Sequence, residues 1–347
     1  MSRELNKARQ KLIDSYIKSL SENKIPWQRQ WKENSIPENA INKVPYHGTN
    51  KLLLTFIMDE KSYEDNRWCT FNQAKSKGWK IKKGATGIPI EYWSIYNKET
   101  KRTVTKEEYK NHIKKYPDDT ENFTWMSRCY YVFNGNDIDG IPKQEHEQIN
   151  KVINTSSFIN NTIKNLNVTY KEKGDKAYYN INNDTVIIPQ SSNFSEEYYY
   201  YATQLHELCH ASGHPTRLNR NISNSFGTKE YAKEELRAEI SSSFLMQDLK
   251  LSFNENHFNN HKAYIQSWLT ILKDDPNELF RAIKDATEIE TYIQDLSIEK
   301  NIDKKIQKDI KPLNTHKCLS ERITNAKNIK TQNTNEKALT KDINKQR

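Results

Sequence analysis

Residues 201–215, YATQLHELCHASGHP, place three of the chain's nine histidines and a glutamate within nine positions. His206-Glu207-Leu208-Cys209-His210 reads as HExxH. On a helix, positions i and i+4 share one face, so two imidazoles can grip one metal ion. The residue after the first histidine can then serve as general base on a metal-bound water. The pattern demands a helix with one buried flank, which Leu205 and Leu208 supply. Ser195 is the expected N-cap, with Glu196 and Glu197 in the first turn, and Gly213 and Pro215 are expected to stop the helix.

A catalytic zinc needs a third protein ligand and keeps one position open. The site class that takes a histidine six residues after His210 would need it at position 216, which is Thr216. His214 stands four residues on, beyond Gly213, and has the wrong spacing; it is kept as an outer-shell or alternative ligand. The next helical pattern carries EELRAEI, with Glu234, Glu235 and Glu239. Glu235 and Glu239 lie one turn apart on one face, so one can bind the metal while the other braces a ligand histidine. Glu235 is taken as the ligand and Glu239 as the brace, with the reverse left open. Zn²⁺ is the expected ion, and another divalent metal such as Mn²⁺ fits the same ligands. Tyr264 and His261 are placed where a later helix can bring them near the site.

Charge is divided along the chain. Residues 1–140 carry 25 basic against 18 acidic side chains, residues 141–297 carry 16 against 21, and residues 298–347 carry 13 against 6. The two ends suit a polyanion and the middle suits a metal. Six of the seven tryptophans lie in the first 125 residues, interleaved with lysine and arginine in PWQRQW, RWCTF and WKIKKG. Single-stranded nucleic acid is held by such mixtures, through bases on aromatic faces and cations along phosphates. No groove-reading motif of a duplex binder is present. Trp27, Arg29, Trp31, Tyr46, Asn50, Arg67, Trp79, Lys80, Lys82 and Lys83 are the candidate contacts.

The organisation expected is α+β in two domains: a small mixed domain over 1–141, a linker over 142–150, a mainly helical domain over 151–297 and a basic, disordered tail over 298–347. Helices are predicted over 4–20, from about 50 with Thr49 or Asn50 as cap, over 72–77, from about 152, over 229–249, 258–273 and 276–296. RWCTF, GIPIEYWSIY and SRCYYVFNG read as strands, and AYYNINNDTVIIP as two strands joined at 182–184, with TVIIP the expected sheet edge. The charged stretch 98–121 reads as an insertion or hairpin excursion. The four cysteines form no CxxC pair, which points to reduced, packed thiols. No apolar run approaches the length of a membrane span and the start lacks a signal-peptide pattern, so a cytoplasmic protein is expected.

Taken together, IPWQRQW, the stretch 39–50, RWCTFNQA and WKIKKGATG, followed by YYATQLHELCHASGH, FGTKEYAKEELRAEI and AYIQSWLTIL, resemble the ArdC family of antirestriction proteins. That family is carried by conjugative plasmids and related mobile elements. The resemblance covers about residues 5–296 and implies an ssDNA-binding first domain, a zincin-like metallopeptidase second domain and protection of incoming DNA from restriction. Under it, Glu207 activates water to cut a host protein met near DNA. The rival is a binding protein that shields ssDNA and whose metal is structural. Oligomeric state is not legible from these residues.

Overall fold

The computed structural model describes residues 3–24, 36–144, 154–222, 225, 227–251 and 262–298. The expected contacts Trp27, Arg29 and Trp31, the donor His261, most of the linker and all but the first residue of the basic tail lie outside them.

Helical periodicity is realised in α1 (Arg3–Ser21), which buries Leu12, Ile13, Tyr16 and Leu20 along one stripe. A short strand β1 (Glu38–Asn39) precedes α2 (Gly48–Glu60). The expected Thr49 or Asn50 cap is replaced by His47, which takes the extended N-cap conformation without a side-chain bond. The Asn50 amide is used elsewhere: it donates to the Glu91 carbonyl at 2.7 Å and accepts from the Glu91 N–H at 3.0 Å, satisfying main chain as a neighbouring strand would.

Strand β2 (Arg67–Thr70) runs into α3 (Phe71–Ser76), whose start is fixed by a capping box between Thr70 and Gln73. Then come β3 (Lys80–Ile81), β4 (Ile88–Asn97), β5 (Arg102–Val104), α4 (Lys106–Lys115), β6 (Phe123–Asn134) and β7 (Ile138–Asp139). The main sheet has the order β1-β2-β6-β4-β5, parallel only at β1-β2, and β4 pairs with β6 in a ten-residue register from Ile88↔Val132 to Asn97↔Phe123. The charged stretch 98–121 is the excursion at the end of this pair. It carries its own small core, Ile95, Val104 and Phe123 beneath Tyr109 and Ile113 of α4.

In the second half, α5 (Thr155–Leu166) starts at a capping Asn154 and ends at a left-handed Asn167. It is followed by β8 (Thr169–Glu172), β9 (Tyr178–Asn180) and β10 (Thr185–Ile188). The turn expected at 182–184 joins β9 to β10, with Asp184 left-handed. One expectation is overturned here: TVIIP is not the edge. β10 lies between β8, to which it runs parallel, and β9, to which it runs antiparallel, and all four of its residues are buried. Both of its hydrogen-bonding sides are filled, so among the described residues the edge strand beside the cavity is β9.

Four helices complete the described fold: α6 (Glu197–Ala211), α7 (Lys229–Asp248), α8 (Lys262–Asp274) and α9 (Glu278–Ser297). Two cores arise. One gathers α5, α6, α7, α9 and β10. The other spans both halves of the sequence, joining Leu12 and Leu20 of α1, Leu52 and Leu54 of α2 and Trp68 of β2 to Leu236 of α7, Trp268 of α8 and Ile283 of α9.

A buried cation crosses this shared core. Lys51 of α2 bonds Glu290 of α9 at 3.1 Å and Asp248 of α7 at 3.3 Å, and its ammonium lies 4.6 Å from the Phe244 ring centroid. Burial pushes Glu290 up to about 7 against the pull of Lys51. Lys51→Met strands the buried Glu290 carboxyl, while Asp248 keeps its bond from Gln294. The expected loss is about 3 kcal/mol of stability in a denaturant titration, recovered in large part by adding Glu290→Leu. Among the described residues, no helix is long and apolar enough to cross a membrane, and Cys69, Cys129 and Cys209 are free thiols.

Candidate metal centre and nucleic-acid face

Glu196, in an extended conformation, is the N-cap of α6, so the expected Ser195 cap is not used. It stops at Ser212, and Gly213 is required there by close approach: a Cβ would stand 2.8 Å from Ile222 and 2.9 Å from the Arg220 guanidinium. That guanidinium folds over the helix end. It donates to the Cys209 carbonyl at 2.8 Å and the Ser212 hydroxyl at 2.8 Å, satisfying a terminal carbonyl, and it pairs with Glu234 at 2.7 Å. Arg217 closes the next carbonyl, Ala211, and holds Asp184 of the β9–β10 turn.

His206 and His210 stand one turn apart with their Nε2 atoms 3.1 Å from each other. Each Nε2 faces one oxygen of Glu235, at 3.5 Å for His206 and 3.4 Å for His210. Each outer nitrogen faces its own carboxylate: His206 Nδ1 lies 3.3 Å from Glu239, and His210 Nδ1 lies 3.3 Å from Glu234. At His210 an Nδ1–H donated to Glu234 leaves the Nε2 lone pair inward, the tautomer that a metal requires, while at His206 the Glu239 carboxylate faces Nδ1 as an ion-pair contact.

The donor set fits a divalent ion by distance and by charge. Bonds of about 2.0–2.1 Å at tetrahedral angles put ligand atoms about 3.3 Å apart, close to the 3.1, 3.4 and 3.5 Å found here. His206, His210 and Glu235 are the group of metal-competent side chains among the described residues, with ligand atoms all within 4.8 Å of one another. Four carboxylates, Glu207, Glu234, Glu235 and Glu239, crowd two imidazoles, with Arg220 the guanidinium paired to Glu234. Burial alone would lower both imidazoles, yet Glu235 and Glu239 hold His206 well above its ordinary value, and Glu235 and Glu234 hold His210 up at about 9. Burial opposes ionisation of Glu235, and the two histidines overcome it, leaving that carboxyl far below the usual range. The pocket therefore calls for positive charge that a divalent ion can supply.

Glu207 is buried on the cavity side of α6, and burial raises its carboxyl. The Tyr179 main chain hydrogen-bonds it, while Oε2 is buried without a hydrogen bond among the described residues. The cavity, about 300 Å³, is walled by the metal-competent trio, by Glu207, by Tyr178 and Tyr179 of β9 and by Tyr231 and Tyr264. The hydroxyls of the last two are 3.3 Å apart. Tyr264 was legible from its helix, whereas Tyr231, Arg220 and the pairing of Glu234 with His210 were not. His214 stays outside this group: its Nδ1 accepts from Thr216, capping a turn.

Residues 6–133 match the N-terminal domain of anti-restriction factor ArdC, and residues 157–285 match the zincin-like metallopeptidase domain. The chain joins an ArdC N-terminal domain to a zincin-like metallopeptidase domain. The antirestriction ArdC protein from plasmid R388, in its Mn(II)-bound crystal structure, superposes with a TM-score of 0.65 at 28% identity, covering 84% of this chain and 98% of that one. Its metal-free form gives 0.64 at 28%, covering 83% and 97%. A DNA primase TraC of Escherichia coli is 33% identical over 294 residues, which is 82% of this chain and 27% of the primase. A second TraC is 32% identical over 291 residues, 81% and 19%. Protein y4eC of Sinorhizobium fredii (strain NBRC 101917 / NGR234) is 28% identical over 276 residues, 79% and 85%. The chain thus spans about a quarter or less of the two primases. With its ArdC-type zincin-like domain and its ligand geometry, the second half is suited to a divalent metal.

The nucleic-acid candidates are scattered by the fold. Tyr46 is half-buried against the shared core, where burial pushes its phenol up to about 12. Arg67 is buried, with its guanidinium spent on Asp65 and the Pro142 carbonyl. Asn50 is spent on Glu91. Trp79 packs on the small core of Ala40, Cys69, Ala74 and Ile138. These four are engaged within the fold, Arg67 buried and the other three partly buried. Lys80, Lys82 and Lys83 are exposed, Lys82 donating to the Asn136 carbonyl. Of the large exposed aromatics described in this half, Tyr92, Trp93, Trp125, Tyr130 and Tyr131 lie instead on β4 and β6, with Phe71 on α3 and Tyr116 after α4 the others. A sequence signal for them existed. Tyr92-Trp93 and Tyr130-Tyr131 are adjacent pairs, and neighbours on a strand point to opposite faces.

Proposed function

We propose that this chain is an ssDNA-binding antirestriction protein of a mobile element, acting in the cytoplasm, whose second domain is a zinc-dependent peptidase acting on a protein met at DNA. The observation that carries the reading is the His206, His210 and Glu235 triangle with Glu207 beside it in one cavity. Zinc, or manganese in its place, supplies carbonyl polarisation and an acidified water. His206, His210 and Glu235 would hold it, the histidines through Nε2, with Glu234 bonded to His210 Nδ1 and Glu239 facing His206 Nδ1. Glu207 Oε2 takes the proton from the attacking water and passes it to the leaving amine. The substrate chain pairs along the open side of β9, and the Tyr231 and Tyr264 hydroxyls stand at the cavity wall to donate to a carbonyl oxygen.

Two measurements test the reading. The purified protein is expected to carry about one divalent ion per chain, lost on His206→Ala or His210→Ala. Labelled ssDNA is expected to bind with an affinity that falls with salt, by a log–log slope of about −0.7 per phosphate contacted. A flat salt dependence defeats the nucleic-acid part, and a metal-free protein that refuses zinc and manganese defeats the peptidase part.

A further inference from the structure

The pair β4–β6 carries an anomaly for a folded sheet. At one end, Ile88, Ile90 and Val132 are buried in the shared core; at the other, Ile95 and Phe123 are buried under α4. Between these ends no described element covers the pair on either face, and its exposed side chains include large rings: Tyr92 is 56% exposed, Trp93 48%, Trp125 46%, Tyr131 43% and Tyr130 39%. Alternation and register put Trp93, Trp125 and Tyr131 on the face that α4 also occupies, and Tyr92, Tyr130 and Arg128 on the other. Solvating this much ring surface is unfavourable, and contiguous exposed apolar surface marks an interaction site.

The rings are braced rather than loose. The Trp93 indole N–H donates to Glu91 at 2.9 Å, and Glu91 is itself held by Arg9. Trp125 meets Tyr109 of α4 nearly perpendicularly at 5.9 Å, and Tyr92 meets Tyr130 in the same manner at 5.9 Å. The electrostatics favour a polyanion over an apolar protein partner. Glu91, the one carboxylate in the two strands, is buried and neutralised by Arg9, whereas Arg128 is exposed. On α4, Lys106, Lys110 and Lys114 recur every four residues as an exposed row beside Tyr109 and Ile113, which pack toward Phe123.

We propose that the exposed middle of β4–β6 is the ssDNA site: bases stack on Trp93, Trp125 and Tyr131 while the lysine row of α4 follows the phosphates. This rests on the reading that the first domain binds ssDNA, and it moves the contact surface from the Lys80–Lys83 turn to the ribbon. Stacking needs open ring faces at fixed positions with cations alongside, and it tolerates any base sequence.

The test uses the full chain and a labelled oligothymidylate in fluorescence anisotropy. Trp93→Leu with Trp125→Leu is expected to weaken binding roughly 30-fold, while Trp93→Phe with Trp125→Phe stays within about threefold of the parent. A parental, cooperative unfolding transition in denaturant reports an intact fold. Lys110→Glu with Lys114→Glu changes only solvent-facing positions, so it carries the test if the leucine pair fails to fold; it is expected to weaken binding more than about tenfold and flatten the salt dependence. Parental affinity in both the leucine and the glutamate variants, or full loss in Lys80→Ala with Lys83→Ala alone, overturns the ribbon as the site. A parent chain with no ssDNA affinity overturns the nucleic-acid reading itself, and the ribbon with it.

Discussion

Glu207→Gln is expected to leave the bound metal unchanged and to cut peptide hydrolysis by about 10³–10⁴-fold. The substitution is close to isosteric, and the amide oxygen can still accept from the Tyr179 main chain. What disappears is the group that takes a proton. Because burial already disfavours the Glu207 carboxylate, a neutral amide in its place costs no stability, and the melting temperature is expected to hold or rise. Both His206 and His210 keep their outer partners, so elemental analysis of parent and variant should agree. The decisive readout is protection of transferred DNA from restriction. Loss of protection with metal and ssDNA binding intact assigns the effect to proton transfer. Unchanged protection removes hydrolysis from the mechanism and leaves a protein that shields ssDNA with a structural ion.

The parts of this site that could be read from sequence are those governed by one helix's own geometry. His206 and His210 share a face because they are four apart, and Glu235 with Glu239 do so for the same reason. The clasp of Arg220 on Glu234 was hidden because it depends on how the loop after Gly213 doubles back, and loop direction leaves no periodic trace. The edge strand was misplaced for a related reason. β8 is a short polar stretch, TYKE, with no apolar run to announce it, yet its parallel pairing puts β10 in the middle and leaves β9 beside the cavity.

In the first half, the strands were legible from β-branched and aromatic runs, but the role of each ring was not. Trp68 is fully buried and Trp93 is half exposed, although both sit in apolar strands of similar composition. Which ring points inward follows from register and from which faces the helices cover, and periodicity says that a face is buried without saying against what. The same limit applies to α1 and α2. Their apolar stripes were plain, whereas their packing on α7, α8 and α9 appears only in three dimensions, where Lys51 finds Glu290.

Glu235→Ala is expected to lower metal affinity by roughly 10³-fold or more, since it removes one of three protein ligands of a site that keeps a fourth position open. Glu239→Ala and Glu234→Ala remove only the partners of the outer nitrogens, and are each expected to cost about 10–100-fold. The order follows from the distances: the Glu235 oxygens face both inward Nε2 atoms, whereas Glu239 and Glu234 each meet one outward Nδ1. Competition against a chromogenic chelator measures all three variants on one scale. The same order should appear in thermal unfolding, because an ion held at 100 times its Kd stabilises the fold by about 2.7 kcal/mol and that increment shrinks as Kd rises. A larger loss in Glu239→Ala than in Glu235→Ala would reverse the assignment of ligand and brace, because a brace acts only by orienting His206, whose ring also packs edge-on against His210.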